Sequence, residues 1–371
     1  MHAAALITQL RQQDPEAQFA GLGGDRMTAA GCRIYRHIRY MSFMGFAAVI
    51  GNWRKIRENF RIARETLLQE QPDVLILIDY PSFNLQMAKF CRKHLPGTKI
   101  CYYIPPKVWV WKRRRIHSIA RLCDKVLGIF PFEPAFYARY GYECTYVGNP
   151  TAEEIGQMYN RQWTMDNGQW TMDNGQWTMN KGQASIAVLP GSRPLEVERC
   201  LTRMLEAARR FPSYRIVVSA APSIPDSFYT PYLREGETLT RDTYSAVRSA
   251  QAAIVNSGTA TLETALLGCP QVAVYQVKLP RTTGLFLRTL KPLVFSIPYF
   301  TLVNIIEGRE VIKEYIADTF TADHIAGELD RLLTDEAYKK EMLAAYKHLS
   351  EVLGSKPASV TAAQLITSIR R

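Results

Sequence analysis

The feature that most constrains this chain is an alternation of short apolar runs with amphipathic stretches long enough for helices. The runs lie at 74–78, 99–104 and 125–130 in the first half, and at 185–189, 214–220, 252–255 and 271–277 in the second. A run that is apolar at nearly every position suits a strand covered on both faces, and such alternation leads to a parallel sheet wrapped by helices. Helical spacing appears at 2–12, 53–69, 83–94, 111–121, 196–210 and 260–267, and the chain beyond 277 reads as mainly helical. Residues 18–24 read as one more short strand, running into a glycine turn. The expected class is therefore α/β with doubly wound parallel sheets.

At roughly 150 residues per domain, the 371 residues make two such halves. The expected divisions are a first α/β domain over 1–160, a linker over 161–183, a second α/β domain over 184–345, and a C-terminal helix over 346–371 that packs back on the first domain or on a partner chain. Two α/β halves predict a cleft between them, where ligands usually bind. The linker holds a tandem repeat, QWTMDNG twice and QWTMNKG once, within 162–182. Seven residues is far too short a period for a solenoid. A glycine and an asparagine in each copy argue against a coiled coil, so the repeat is read as an insert without chemistry.

Charge is unevenly distributed. Residues 1–150 hold 22 Lys and Arg against 11 Asp and Glu, whereas the remaining 221 residues hold 24 against 23. A one-sided basic surface calls for an anionic partner: nucleic acid, membrane headgroups or a phosphorylated substrate. The seven cysteines are scattered and form no C-x-x-C pair, which points to reduced thiols rather than a disulfide framework or zinc site. No secretory signal stands at the start. No stretch reaches the roughly 18–20 apolar residues of a spanning helix. The apolar segment 41–50 precedes Arg54, Lys55 and Arg57, and the segment 285–306 is interrupted by Arg288, Lys291, Pro292 and Pro298. Such segments either lie on an anionic membrane surface or form core helices with solvated ends.

Three places carry chemistry. Leu189-Pro190-Gly191-Ser192-Arg193 ends a strand and opens a helix, where free N–H groups, the helix dipole and the Arg193 guanidinium favour a phosphate. The alternative is a Ser192 cap beside a solvated arginine. Asn256-Ser257-Gly258-Thr259 repeats the construction, with Glu263 one turn in, where a carboxylate can take ribose hydroxyls or simply favour the dipole. Asp79 follows the 74–78 run, at the strand end facing a ligand crevice, and is either a general base or a loop aspartate. No D-x-D pair occurs, so no metal ligands and no cofactor are expected at a diphosphate site. The stretch 105–117 mixes Trp109 and Trp111 with Lys112, Arg113, Arg114 and Arg115. It suits a lipid surface or a solvated face; no nucleic-acid-binding signature accompanies it, and nucleic acid is not expected as a partner.

In order along the chain, these blocks resemble the lipid-A-disaccharide synthases. The matching pieces are Gly21–Met27, Met44-Gly45-Phe46, Asp79-Tyr80-Pro81-Ser82-Phe83-Asn84, 105–111, Phe130-Pro131-Phe132-Glu133, Val147-Gly148-Asn149-Pro150, 189–193, 257–263, and Asn304 with Glu307-Gly308-Arg309-Glu310. The resemblance implies a GT-B glycosyltransferase, two Rossmann-like domains facing a central cleft. It implies transfer of 2,3-diacylglucosamine from its UDP donor to 2,3-diacylglucosamine 1-phosphate (lipid X), giving the disaccharide 1-phosphate and UDP, with inversion at the donor carbon. It further implies Asp79 as the catalytic base. Gly191, Ser192, Arg193, Asn256, Ser257, Gly258, Thr259, Glu263 and Asn304 would hold the UDP-sugar. Met44, Phe46, Trp109, Trp111, Arg113 and Arg114 would face the membrane and acceptor. The implied setting is cytoplasmic, peripheral on the inner membrane, with a homodimer in view. The family opens with a strand and a G-E-x-S-G-D-like loop, whereas Met1-His2-Ala3-Ala4 reads as part of the following helix; a truncated first domain is the expectation. Competing readings are another UDP-sugar GT-B enzyme of envelope synthesis and a UDP- or lipid-binding protein without turnover.

Overall fold

The structure, a computed structural model, describes residues 2–41, 53–110, 112–158, 163–166, 169–172, 184–256, 258–276, 299–354 and 356–370. They divide into two compact units, one of Met1–Glu153, Met165–Thr171 and Ser355–Arg371, the other of Glu154–Thr164 and Met172–Gly354.

In the first unit, β1 (Ala20–Gly23) pairs in parallel with β2 (Arg33–His37). A second parallel sheet runs in the order β3 (Val74–Ile78), β4 (Lys99–Tyr103), β5 (Lys125–Gly128), β6 (Thr145–Tyr146). Strand alternation sends successive side chains of β4 to opposite faces. Ile100 and Tyr102 join Ala88, Cys91, Ile116 and Ile119 of the helices Pro81–His94 and Arg115–Leu122. Cys101 and Tyr103 join Leu6 and Leu10 of the helix His2–Gln13 and Ala362, Ala363 and Ile366 of Ala358–Arg370. Helices thus cover both faces. The run 74–78 is covered on both faces, as expected, with Leu75 and Leu77 in one core and Val74, Ile76 and Ile78 in the other. Its position is not central: β3 is an edge of its sheet, and only Leu77 within it is fully buried.

The C-terminal segment is two helices rather than one. Glu336–Leu353 and Ala358–Arg370 are separated where Gly354 and Pro357 stand, and proline disfavours helical backbone in the residue before it. The second helix is anchored by Glu153, whose buried carboxylate accepts the Ser359 amide (3.0 Å) and hydroxyl (2.5 Å). Within the repeat, β7 (Trp163–Asp166) and β8 (Gln169–Met172) pair as a two-stranded sheet.

The second unit is one six-stranded sheet, parallel throughout, built from β9 (Ser185–Leu189), β10 (Arg215–Ser219), β11 (Thr238–Thr240), β12 (Ala252–Asn256), β13 (Gln271–Tyr275) and β14 (Glu314–Ile316). The spatial order is β11-β10-β9-β12-β13-β14. Every residue of β9 and β12 is buried, including the polar Ser185 and Asn256 at their ends, as runs otherwise apolar throughout demand at the centre of such a sheet. Besides the pair within the repeat, the strands that sequence did not announce are β2, β6, β11 and β14. Each stands at the end of its sheet, where half-exposed, partly polar residues suffice. Among the described residues, no helix is long and apolar enough to cross a membrane, and no group of three or more His, Cys, Asp and Glu could hold a metal ion.

Candidate functional site

In the second unit the strand order reverses between β9 and β12, because the chain moves outward through β10 and β11 and then returns to the far side of β9. Both loops singled out by sequence leave the C-terminal ends of these two strands. That is the place where open parallel sheets bind ligands. The loops are tied together by Asn256, buried at the end of β12, whose side-chain amide donates to the Pro190 carbonyl at 3.1 Å. Gly191 adopts φ +121°, and a Cβ there would press on both Asn256 and Glu196, so the turn requires glycine.

Glu196 organises the first loop. Its carboxylate accepts the Ser192 amide at 3.1 Å and pairs with Arg193 at 2.9 Å. The Ser192 N–H is thus engaged by a carboxylate rather than left open. Arg193, with its side chain 55% exposed, keeps further guanidinium donors directed to solvent. On the second loop, Gly258 and Thr259 are exposed at the start of the helix Thr259–Leu266, and Glu263 is half-buried one turn in. Burial, with a smaller push from Glu154, raises the Glu263 pKa. Ser257 lies outside the described residues. Asn304 does not join these loops as an open group. It is fully buried: its carbonyl accepts the Val311 and Ile312 amides at 2.8 and 3.0 Å, and its amide donates to the Ile312 carbonyl and to Glu314. Those bonds hold the 311–314 segment and leave no side-chain surface for a ligand.

In the first unit, Asp79 sits at the C-terminal end of β3 with its side chain exposed. Three non-glycine residues at the ends of the neighbouring strands β3 and β4 take left-handed backbone: Asp79 (φ +48°), Tyr80 (+42°) and Ile104 (+58°). Each such residue costs on the order of 1–3 kcal/mol, and such conformations cluster at functional sites. Lys107 lies over the Phe130 ring at 5.7 Å; burial lowers its pKa, opposed by Glu133 and then Asp79.

Trp109 is not a surface residue. It is 3% exposed, meets Phe130 and Phe132 edge-on at 5.8 and 4.9 Å, and donates its indole N–H to Glu133 at 3.2 Å. Its apolar surroundings, not a membrane, take its ring. Arg113 and Arg114 are exposed in the turn before the helix Arg115–Leu122, which begins four residues later than helical spacing implied, beyond Lys112 at φ +55°. Met44, Phe46 and Trp111 lie outside the described residues.

Sequence reading passed over Glu133 as a functional group, although it closes the Phe-Pro-Phe-Glu block. Its carboxylate accepts the Ile129 and Phe130 amides at 2.8 and 3.0 Å as well as the Trp109 indole. Burial nevertheless raises its pKa to about 7, from 4.5. Between those values the folded protein holds a proton that the unfolded chain has released, so this group's contribution is fully present below about 4.5 and declines as pH rises through 7. In urea titrations at pH 5 and pH 8, Glu133→Gln is expected to lose less stability between the two than the wild type does. An equal loss in both proteins would show that Glu133 is ionised throughout.

The family model described as lipid-A-disaccharide synthetase matches residues 1–366. The chain belongs to this family. Among curated relatives, the lipid-A-disaccharide synthase of Trichlorobacter lovleyi is 34% identical over 100% of this chain and 94% of its own length. That of Geobacter sulfurreducens is 32% identical over 99% and 93%, and that of Myxococcus xanthus 33% identical over 99% and 94%. Membership places the chain among the UDP-sugar-dependent glycosyltransferases of lipid A disaccharide synthesis. Solved structures with similar folds include the glycotransferase of kitacinnamycin (TM-score 0.61, 12% identity, 100% of this chain and 95% of that one) and Acinetobacter baumannii MurG (0.55, 16%, 99% and 95%). The UDP-GlcNAc 2-epimerase of Neisseria meningitidis, bound to UDP-GlcNAc, is another (0.53, 9%, 99% and 96%). These likenesses support the GT-B class, with two Rossmann-like domains.

Proposed function

We propose that this chain transfers 2,3-diacylglucosamine from its UDP donor to the 6-hydroxyl of 2,3-diacylglucosamine 1-phosphate, releasing UDP and the β-1′,6-linked disaccharide 1-phosphate. The observation that carries this reading is family membership over nearly the whole chain, joined to two helix-opening loops at the strand-order reversal of the second unit. In this reading Asp79 removes the proton of the acceptor hydroxyl. The oxygen attacks the anomeric carbon, the bond to the diphosphate breaks, and its electron pair leaves on the UDP oxygen with inversion. The starts of the helices Pro194–Ala208 and Thr259–Leu266, with the Arg193 guanidinium, stabilise that leaving diphosphate. Gly191, Ser192, Gly258 and Thr259 surround it, and Glu263 takes the ribose hydroxyls.

The basic first half supplies the other partner surface. The exposed Arg113 and Arg114, with the charge excess of residues 1–150, favour the anionic cytoplasmic leaflet of the inner membrane and the phosphorylated acceptor. The test is a UDP-release assay on mixed micelles. UDP is expected only when the diacylated UDP-sugar and the diacylated sugar 1-phosphate are both supplied. Comparable release from unacylated UDP-N-acetylglucosamine would move the chain to another envelope glycosyltransferase class.

A further inference from the structure

The Asp79 carbonyl receives two side-chain donors from different elements. The Tyr102 hydroxyl, on β4, reaches it at 2.8 Å, and the Asn84 side-chain amide, on the helix Pro81–His94, at 2.5 Å. The Asn84 amide also lies 3.0 Å from the carbonyl of the preceding residue, Ile78. Tyr102 is completely buried, although its hydroxyl finds its acceptor at the edge of the exposed strand end. An L-residue at φ +48° relaxes to extended or right-handed backbone unless its peptide planes are held. Relaxation would turn the Cα–Cβ bond of Asp79 and swing its carboxylate away from its present direction.

We propose that Tyr102 and Asn84 are positioning residues for the Asp79 carboxylate, clamping its main-chain carbonyl so that the left-handed backbone is kept and the side chain leaves β3 in one fixed direction. The proposal rests on the reading of Asp79 as the base. Neither residue needs to touch the sugars. Their action is to keep the carboxylate within the narrow geometry that proton transfer requires, where a displacement of about 1 Å can cost ~100-fold in rate. Burial drives the Tyr102 pKa far above its ordinary value, so its hydroxyl remains a donor across the working pH range.

The experiment measures kcat and both KM values for Tyr102→Phe and Asn84→Ala, each alone and combined with Asp79→Asn. Tyr102→Phe removes a single oxygen, and Asn84→Ala tests the same clamp from a different element should the buried position disturb folding. Each single variant is expected to lower kcat about tenfold with both KM values within about twofold of wild type. Neither is expected to lower the residual rate further once Asp79 is asparagine, because a clamp has no effect on a base that is absent. Unchanged kcat in both single variants, beside an Asp79→Asn variant that has lost turnover, overturns the clamp and leaves the base intact. An equal proportional fall with and without Asp79 also overturns it, by showing a merely structural role. Full turnover in Asp79→Asn overturns the reading of Asp79 itself, and the clamp with it.

Discussion

Replacing Asp79 by asparagine is expected to cut kcat by roughly 10²–10⁴-fold, the usual contribution of a positioned general base, while leaving the affinity for UDP within a small factor of wild type. The separation of the two effects follows from the fold. Asp79 stands at the end of β3 in the first unit, whereas the loops proposed to hold UDP belong to the second. Asparagine keeps the size of the side chain and tolerates left-handed backbone better than most residues do, so the local conformation survives the substitution. The check is steady-state turnover beside a UDP titration on the same preparation. A variant that turns over within threefold of wild type would remove Asp79 from the chemistry.

Arg193→Ala is the second large effect. A hydrogen bond to a charged group is worth about 1.5–3 kcal/mol, so losing the guanidinium is expected to weaken UDP binding about 10- to 100-fold. A further fall in kcat is expected if the contact strengthens as charge develops on the leaving diphosphate. The structure adds a complication that sequence did not show. Glu196 already holds Arg193 and the Ser192 amide, so removing the arginine leaves a carboxylate facing the same anion. The loss in Arg193→Ala therefore contains repulsion as well as a missing attraction, and Glu196→Gln in the Arg193→Ala background is expected to recover part of it. Calorimetric titration with UDP measures both variants, and unchanged affinity in Arg193→Ala would place the diphosphate elsewhere.

Much of the architecture was legible in the chain. The runs at 185–189 and 252–255 are apolar at every position but the serine that opens β9, and they became the two fully buried strands at the centre of the six-stranded sheet. The loops that follow them were marked by glycine beside serine or threonine, residue types whose local demands are themselves local signals. Edge strands such as Thr238–Thr240 and Glu314–Ile316 carry no such signal, since a neighbour on one side and solvent on the other impose no strict pattern. Trp109 shows the limit on the site side. Next to four consecutive basic residues it read as a membrane-facing aromatic, yet its position 24 residues before Glu133 brings it into a buried bond that no local pattern encodes. Asn304 misled in the same way. Its carboxamide satisfies main-chain groups seven and eight residues away, a task that looks identical in sequence to a ligand contact.

What the sequence determined by itself was everything that depends on local spacing: the α/β class, the two halves, the loops at the ends of β9 and β12, Asp79 at the end of β3, and the ordered blocks that mark the family. Tertiary structure alone decided which polar groups are spent and which remain open. Buried donors and acceptors must find partners, and no local pattern says which residues, five or twenty-four positions away, will supply them. That requirement withdrew Asn304 and Trp109 into the interior and fastened the main chain of Asp79 to Tyr102 and Asn84 while leaving its carboxylate exposed.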